Sequence, residues 1–273
     1  MPHAAVDTAR KALTDAEVKA YRRDGQVTPR QRLSPTLLAR MTACIEALIA
    51  SNAGIRPEQL VGAHIRKSGD TGVRGVEELL ELACHPDILD AVEQLMGPDL
   101  ILWGSQVFSK PAGDGLAIPW HQDGQYWPLR PLRTVTVWIA IDRADVDNGC
   151  MRVIPGTHTQ GLMDHTTTDE EGLALNQGLA QPIDEAQARD VVLEPGQFSM
   201  HDAMVVHGSN ANRSGRRRCG WAIRYMPATS LFDRSIPPTR IARNQVIDFR
   251  QRPIWLVRGR DRAGNDFEVV KAS

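Results

Sequence analysis

The spacing of apolar positions changes character near residue 100. Before that point it is helical. Thr14-Asp15-Ala16-Glu17 reads as a capping box opening a short helix that carries Val18 and Tyr21 and stops at Asp24-Gly25. Ser34-Pro35 opens a second helix, with Leu37, Leu38, Met41, Ile45, Leu48 and Ile49 along one side. Residues 52–75 are rich in glycine and charge and read as a long loop, followed by two shorter helices near 76–84 and 87–96 that end at Gly97-Pro98.

After Leu100 the pattern is that of strands. Residues 101–108 and the β-branched run 134–141 are the clearest, with shorter candidates at Met151–Ile154, Asp190–Leu193, Gln197–Met200, Met204–His207 and Cys219–Tyr225. Turn formers separate them at Asp147-Asn148-Gly149, Pro155-Gly156 and Glu194-Pro195-Gly196. Many short strands with frequent turns predict an all-β sandwich or a double-sheet roll. Residues 156–188 are polar and too long for an ordinary connection, which suggests a lid over a site. The run Pro253-Ile254-Trp255-Leu256-Val257 suggests an added edge strand or cover. No linker divides the chain. The expected layout is one domain over 1–273: a helical part at 13–97, a β core at 100–226 and a C-terminal extension at 227–273.

Composition narrows the function classes. The 273 residues include 32 Lys+Arg and 33 Asp+Glu, a formal net charge of −1. That balance weighs against a nucleic-acid partner. No apolar run reaches the ~18–20 residues of a membrane span, and the first ten residues lack the apolar core of a secretion signal. Cys44, Cys84, Cys150 and Cys219 are far apart and form no CxxC pair, which excludes a zinc cluster and fits free thiols in a cytoplasmic protein. Only five basic residues are Lys and 27 are Arg. Arg forms paired hydrogen bonds to carboxylates where Lys does not.

The chemistry centres on Trp120-His121-Gln122-Asp123-Gly124-Gln125-Tyr126-Trp127. On an extended strand, His121 and Asp123 project to the same face. His-x-Asp is two-thirds of the 2-His-1-carboxylate facial triad that holds non-haem Fe(II) and leaves positions open for substrate and oxygen. The distal histidine has four candidates. His158 and His165 fall in the polar stretch, whereas His201 and His207 fall among the strands. His207 ends the run Ala203-Met204-Val205-Val206 and precedes Gly208-Ser209-Asn210, at a strand mouth, and is favoured over His201. Arg213-Ser214-Gly215-Arg216-Arg217-Arg218 directly precedes the strand 219–225. An arginine entering a strand next to that of the metal ligand could pair with a carboxylate.

His121-x-Asp123, Asn148-Gly149-Cys150-Met151-Arg152-Val153-Ile154-Pro155-Gly156-Thr157-His158, His207-Gly208-Ser209-x-x-Asn212-Arg213-Ser214 and Arg218, in that order, resemble the phytanoyl-CoA dioxygenase family. The opening Leu13-Thr14…Tyr21-Arg22-Arg23-Asp24-Gly25 is similar as well, so the resemblance spans roughly 13–226. It implies a mainly β fold with flanking helices, a double-stranded β-helix or cupin-like jelly roll. It also implies an Fe(II)- and 2-oxoglutarate-dependent dioxygenase that uses O2 to attack a C–H bond. In the family's pattern His121, Asp123 and His207 hold iron. Arg218 binds the distal carboxylate of 2-oxoglutarate, with Arg216 and Arg217 as register alternatives. Ser209 is a second contact, Trp138 lines the cosubstrate pocket, and Gln106 and Lys110 reach it from the preceding strand. Asp123 disfavours halogenation, because halogenating relatives carry a small residue there. Hydroxylation, desaturation and ring closure all remain.

Tyr126, Trp127 and Arg130 lie beside the iron motif and are expected to line the entrance. The aromatics would meet a sugar ring or a quaternary ammonium group, and Arg130 or Arg66 an acid or phosphonate. The tail Trp255-Leu256-Val257-Arg258-Gly259-x-Asp261-Arg262-Ala263-Gly264-Asn265 resembles bacterial members acting on small polar metabolites. The expected substrate is therefore a small molecule rather than nucleic acid or membrane. Tailoring of a saccharide antibiotic is one reading and catabolic hydroxylation of an aminoalkylphosphonate another. A non-catalytic cupin-like binding protein would show a broken triad. The sequence leaves the oligomeric state open.

Overall fold

The computed structural model describes residues 11–66, 71–168, 170–242 and 245–267. The first ten residues, where a secretion signal would stand, lie outside the described residues. Four helices precede the β core: α1 (Asp15–Asp24), α2 (Pro35–Ser51), α3 (Glu78–Ala83) and α4 (Pro86–Met96). Their ends follow local chemistry. The Thr14 side chain accepts from the Glu17 amide and Glu17 reaches back to the Thr14 amide, completing the capping box, and Gly25 closes α1 at φ 74°. Ser34 caps α2 with Pro35 in its first turn.

Two antiparallel sheets face each other. The larger runs in the order β1 (Gln26–Val27), β11 (Phe198–Asp202), β6 (Val135–Ala140), β13 (Arg218–Pro227), β3 (Leu100–Lys110) and β17 (Trp255–Arg258), with β2 (Leu60–Val61) also on β3. The smaller runs β10 (Arg189–Val191), β7 (Met151–Ile154), β12 (Val206–Ser209) and β4 (Ile118–His121). Short ladders pair β5 (Leu129–Arg130) with β14 (Leu231–Phe232), β8 (His165–Thr167) with β9 (Gln177–Leu179), and β15 (Thr239–Ala242) with β16 (Gln245–Ile247). This is the expected jelly roll, and β17 is the expected edge strand.

The period of two along the larger sheet divides core from site. On β6, Val135, Val137 and Ile139 pack against the helices, and on β13 so do Cys219, Trp221, Ile223 and Tyr225. The alternate residues Trp138, Ala140 and Ala222 face the smaller sheet and meet Met151 and Val153 there. On β3 the ladder with β13 slips: Arg224 pairs with Gly104 and Tyr225 with Leu102, which leaves Trp103 as an extra residue. Trp103 packs with Trp127, Leu129, Phe232 and Phe249 at one end of the roll.

Two boundaries differ from expectation. The strand expected at Met204–His207 forms at Val206–Ser209. Residues before it make a turn, in which the Val205 amide donates to the Asp202 carbonyl and the Met204 amide to the Asp202 side chain. The loop 52–75 contributes β2 to the sheet. Among the described residues no helix is long and apolar enough to cross a membrane, and all four cysteines are free.

Candidate active site

His121 ends β4, Gln122 remains extended, and Asp123 opens a 3-10 turn over Asp123–Tyr126. The expectation of one strand carrying both residues is thus corrected: the strand stops between them, and the turn swings the carboxylate toward the His121 ring. The turn is held where the Gly124 amide donates to Ala203 O at 2.9 Å. His207 lies directly opposite His121 on the β12–β4 ladder. Ligand atoms of His121, Asp123 and His207 all fall within 4.8 Å of one another, and the three side chains are buried.

Both rings are prepared as ligands. The Nδ1–H of His121 donates to Pro119 O at 2.9 Å, and that of His207 donates to Val205 O at 3.0 Å. Each bond fixes the tautomer and leaves Nε2 with a lone pair toward Asp123. His121 Nε2 is 3.5 Å from Asp123 Oδ1, and His207 Nε2 is 3.9 Å from Oδ2. Burial, with the His121 ring beside it, brings His207 down to about 3, so it is neutral at pH 7. Burial pushes the Asp123 carboxyl up, but the surrounding imidazoles outweigh this and hold it well below the ordinary carboxylate range. Two imidazole Nε2 atoms and one carboxylate, converging on one point, fit a divalent iron.

The other histidines are occupied or displaced. His165 Nε2 accepts from the Gln122 amide at 3.0 Å, so its lone pair is used. His158 contacts Arg22 O near the end of α1. His201, on β11, stands behind the triad with Nε2 3.6 Å from Asp123 Oδ2.

A cavity of about 540 Å³, partly open to solvent, extends from the triad between the sheets. At one end stands Arg218, only 2% exposed, with its Nε buried and unpartnered and its guanidinium 5.3 Å from the centre of the Trp138 ring. Burial brings it down to about 10. The sequence argument placed this arginine on a strand next to that of the metal ligand. β13 instead belongs to the opposite sheet, and Arg218 reaches across the roll. Arg216 and Arg217 turn away, to Asp145 at 2.9 Å and to Asp142 and Glu46 at 2.7 Å each. Lys110 pairs with Arg218 in the ladder, is fully buried and donates to Ser209 Oγ at 2.7 Å. Burial, reinforced by Arg218, lowers it to about 6. Gln106, Trp138 and Ser209 line the same cavity, and Gln106 also donates to Glu58 O at 3.2 Å.

The expected entrance residues separate. Tyr126 lines the cavity. Trp127 does not: it is buried edge-on against Trp103 with centroids 4.6 Å apart. Arg130 points outward, bonded to Leu129 O at 2.9 Å, with its side chain 55% exposed. Arg66 is 82% exposed and 3.9 Å from Glu77. The arginine that does face the cavity from this end is Arg224, with Thr136 beside it. An even offset of six from Arg218 on one strand was the available signal for Arg224. The polar stretch 156–188 does cover the site. Gln122, between two triad residues, donates to Gly161 O at 2.9 Å and accepts from the Met163 amide at 2.7 Å, and Leu175 lines the cavity.

The phytanoyl-CoA dioxygenase (PhyH) family model matches residues 21–220. The chain belongs to the phytanoyl-CoA dioxygenase family. Within the family it is 29% identical over 209 residues to the peroxisomal phytanoyl-CoA dioxygenase of Bos taurus, covering 74% of this chain but 59% of the bovine protein. Among solved structures it is similar to the apo non-heme monooxygenase ThoJ, with TM-score 0.68, 27% identity, and coverage of 92% of this chain and 90% of that one. It is also similar to the epimerase SnoN in complex with Fe3+, alpha ketoglutarate and nogalamycin RO, with TM-score 0.64, 25% identity, and coverage of 80% and 85%.

Proposed function

We propose that this PhyH-family protein is an Fe(II)- and 2-oxoglutarate-dependent oxygenase that functionalises a C–H bond of a small polar metabolite, by hydroxylation or oxidative ring closure. The observation that carries the reading is the pairing of a buried His121/Asp123/His207 cluster with a buried arginine, Arg218, that has no carboxylate partner among the described residues. A cationic side chain sealed in a cavity is costly unless it has a counter-charge. A dicarboxylate chelated at the triad supplies one.

Bound there, iron with 2-oxoglutarate and O2 supplies an oxidant able to break a C–H bond, and the cosubstrate leaves as succinate and CO2. The chain's own residues provide the rest. His121, Asp123 and His207 would hold the metal at the cavity wall. Arg218 and Ser209 take the distal carboxylate, and Lys110 orients Ser209 through its 2.7 Å bond. Trp138 supports the Arg218 guanidinium from its ring face. The segment tethered by Gln122 limits water around the reacting centre.

The likeness to SnoN, an epimerase solved with alpha ketoglutarate and nogalamycin RO, supports a role in tailoring a natural product. Arg224 in the cavity lining favours a second reading, catabolic hydroxylation of an aminoalkylphosphonate. A binding protein without catalysis has no use for three prepared ligands. Anaerobic addition of Fe(II) and 2-oxoglutarate should produce a visible charge-transfer band, and aerobic turnover should release succinate. His207→Ala should abolish both. A folded, iron-loaded protein without the band would overturn the reading.

A further inference from the structure

Three inward residues lie side by side across the larger sheet. Arg224 pairs with Thr136 on the β13–β6 ladder, and Thr136 pairs with His201 on the β6–β11 ladder. All three are buried and line the triad's cavity. Arg224 Nε, Thr136 Oγ1 and His201 Nδ1 each lack a protein partner. Buried polar atoms are nearly always satisfied, so three adjacent orphans point to a ligand that completes them.

Charge indicates its nature. Asp123 is the lone carboxylate lining the cavity among the described residues, and iron would claim it. Arg224, 8% exposed, therefore has no other anion facing it from the cavity wall. Its guanidinium is held 5.2 Å from the centre of the Trp127 ring, which fixes the fork in place and gives Trp127 a supporting task. Arg218 stands six residues away on the same strand, about 20 Å along the backbone at ~3.3 Å per residue. A five-carbon dicarboxylate held by Arg218 and the triad leaves Arg224 unpaired.

We propose that Arg224 and Thr136 form a subsite for an oxyanion, a carboxylate or phosphonate, on the organic substrate, with Arg224 selecting it. His201 Nδ1 then faces a neighbouring hydroxyl or ammonium of the same molecule. This rests on the oxygenase reading, so the test separates the two. Protein loaded anaerobically with Fe(II) and saturating 2-oxoglutarate is titrated calorimetrically with methylphosphonate and, as the neutral control, dimethyl methylphosphonate. The anion should bind saturably and the diester should not. Arg224→Gln should weaken anion binding tenfold or more, Arg224→Lys should restore part of it, and the near-isosteric Thr136→Val should weaken it several-fold. The charge-transfer band, retained in each variant, reports an intact pocket. The proposal is overturned if the anion does not bind, if the diester binds equally, or if neither Arg224→Gln nor Thr136→Val weakens binding. A wild-type protein without the band sinks the oxygenase reading instead.

Discussion

Replacing Arg218 with methionine should make the protein more stable and incapable of holding its cosubstrate. Burial brings Arg218 down to about 10, which corresponds to roughly 3 kcal/mol of penalty on the charged form. For a cation whose folded value lies below the unfolded one, that penalty is fully present below pH ~10 and fades only as pH rises toward the ordinary guanidinium value. Methionine removes the charge and keeps most of the length. The Trp138 contact, worth about 0.5–2 kcal/mol, is lost against this gain. A net stabilisation of about 1–2 kcal/mol remains, or roughly 2–8 °C in Tm for a chain of this size. Cosubstrate reverses the order: at ~100 times its Kd, 2-oxoglutarate adds about 2.7 kcal/mol to the wild type and nothing to the variant. Thermal melts of Fe(II)-loaded protein under argon, with and without 2-oxoglutarate, read both effects. A variant less stable than wild type without the cosubstrate, or stabilised by it to the same extent, would refute the argument that Arg218 is a buried charge awaiting a carboxylate.

Two further predictions concern the same pocket. Lys110 is lowered to about 6, and a dianion nearby favours its ammonium form. The affinity for 2-oxoglutarate should therefore be greatest near pH 6 and fall as pH rises above it; Lys110→Met should flatten the profile of Kd against pH, and an identical slope in that variant would assign the dependence elsewhere. A methyl group on Gly220 would overlap the Trp138 indole. Gly220→Ala should cost about 1–3 kcal/mol in stability and weaken 2-oxoglutarate by roughly 2- to 30-fold through loss of the Arg218 support; unchanged Tm and unchanged band titration would contradict that placement.

The triad was legible because His-x-Asp and a strand-mouth histidine are local signals, and neither depends on which strands become neighbours. Arg218 was singled out by the family's pattern, with Arg216 and Arg217 as alternatives, but its sheet was not legible. Alternation says which residues share a face and is silent on whether two strands pair or oppose each other. That is why an arginine expected beside the metal-ligand strand reaches the site from across the roll. Proximity in sequence misled at Trp127 and Arg130. They follow the 3-10 turn at Asp123–Tyr126, which reverses which side each residue faces and sends Trp127 into the end cluster. His201 was set aside for His207, yet it contacts the same carboxylate.

The surplus residue at Trp103 acts on β3 as a shift of reading frame. Leu100 and Leu102 face the helices, and counting by twos from them would carry Gln106, Phe108 and Lys110 to that side too. The slip at Trp103 moves the count by one, so Val107 takes the helical side while Gln106 and Phe108 line the cavity. Removal of that one residue would turn the bulge into a regular ladder and leave Gln106, Val107 and Lys110 on their present sides. Removal of two would drive the Lys110 ammonium into the apolar helix layer and deliver valine to the pocket. Both β3 residues that line the pocket, Gln106 and Phe108, thus owe their facing to a tryptophan roughly 10–16 Å upstream at ~3.3 Å per residue, which itself packs into the end cluster.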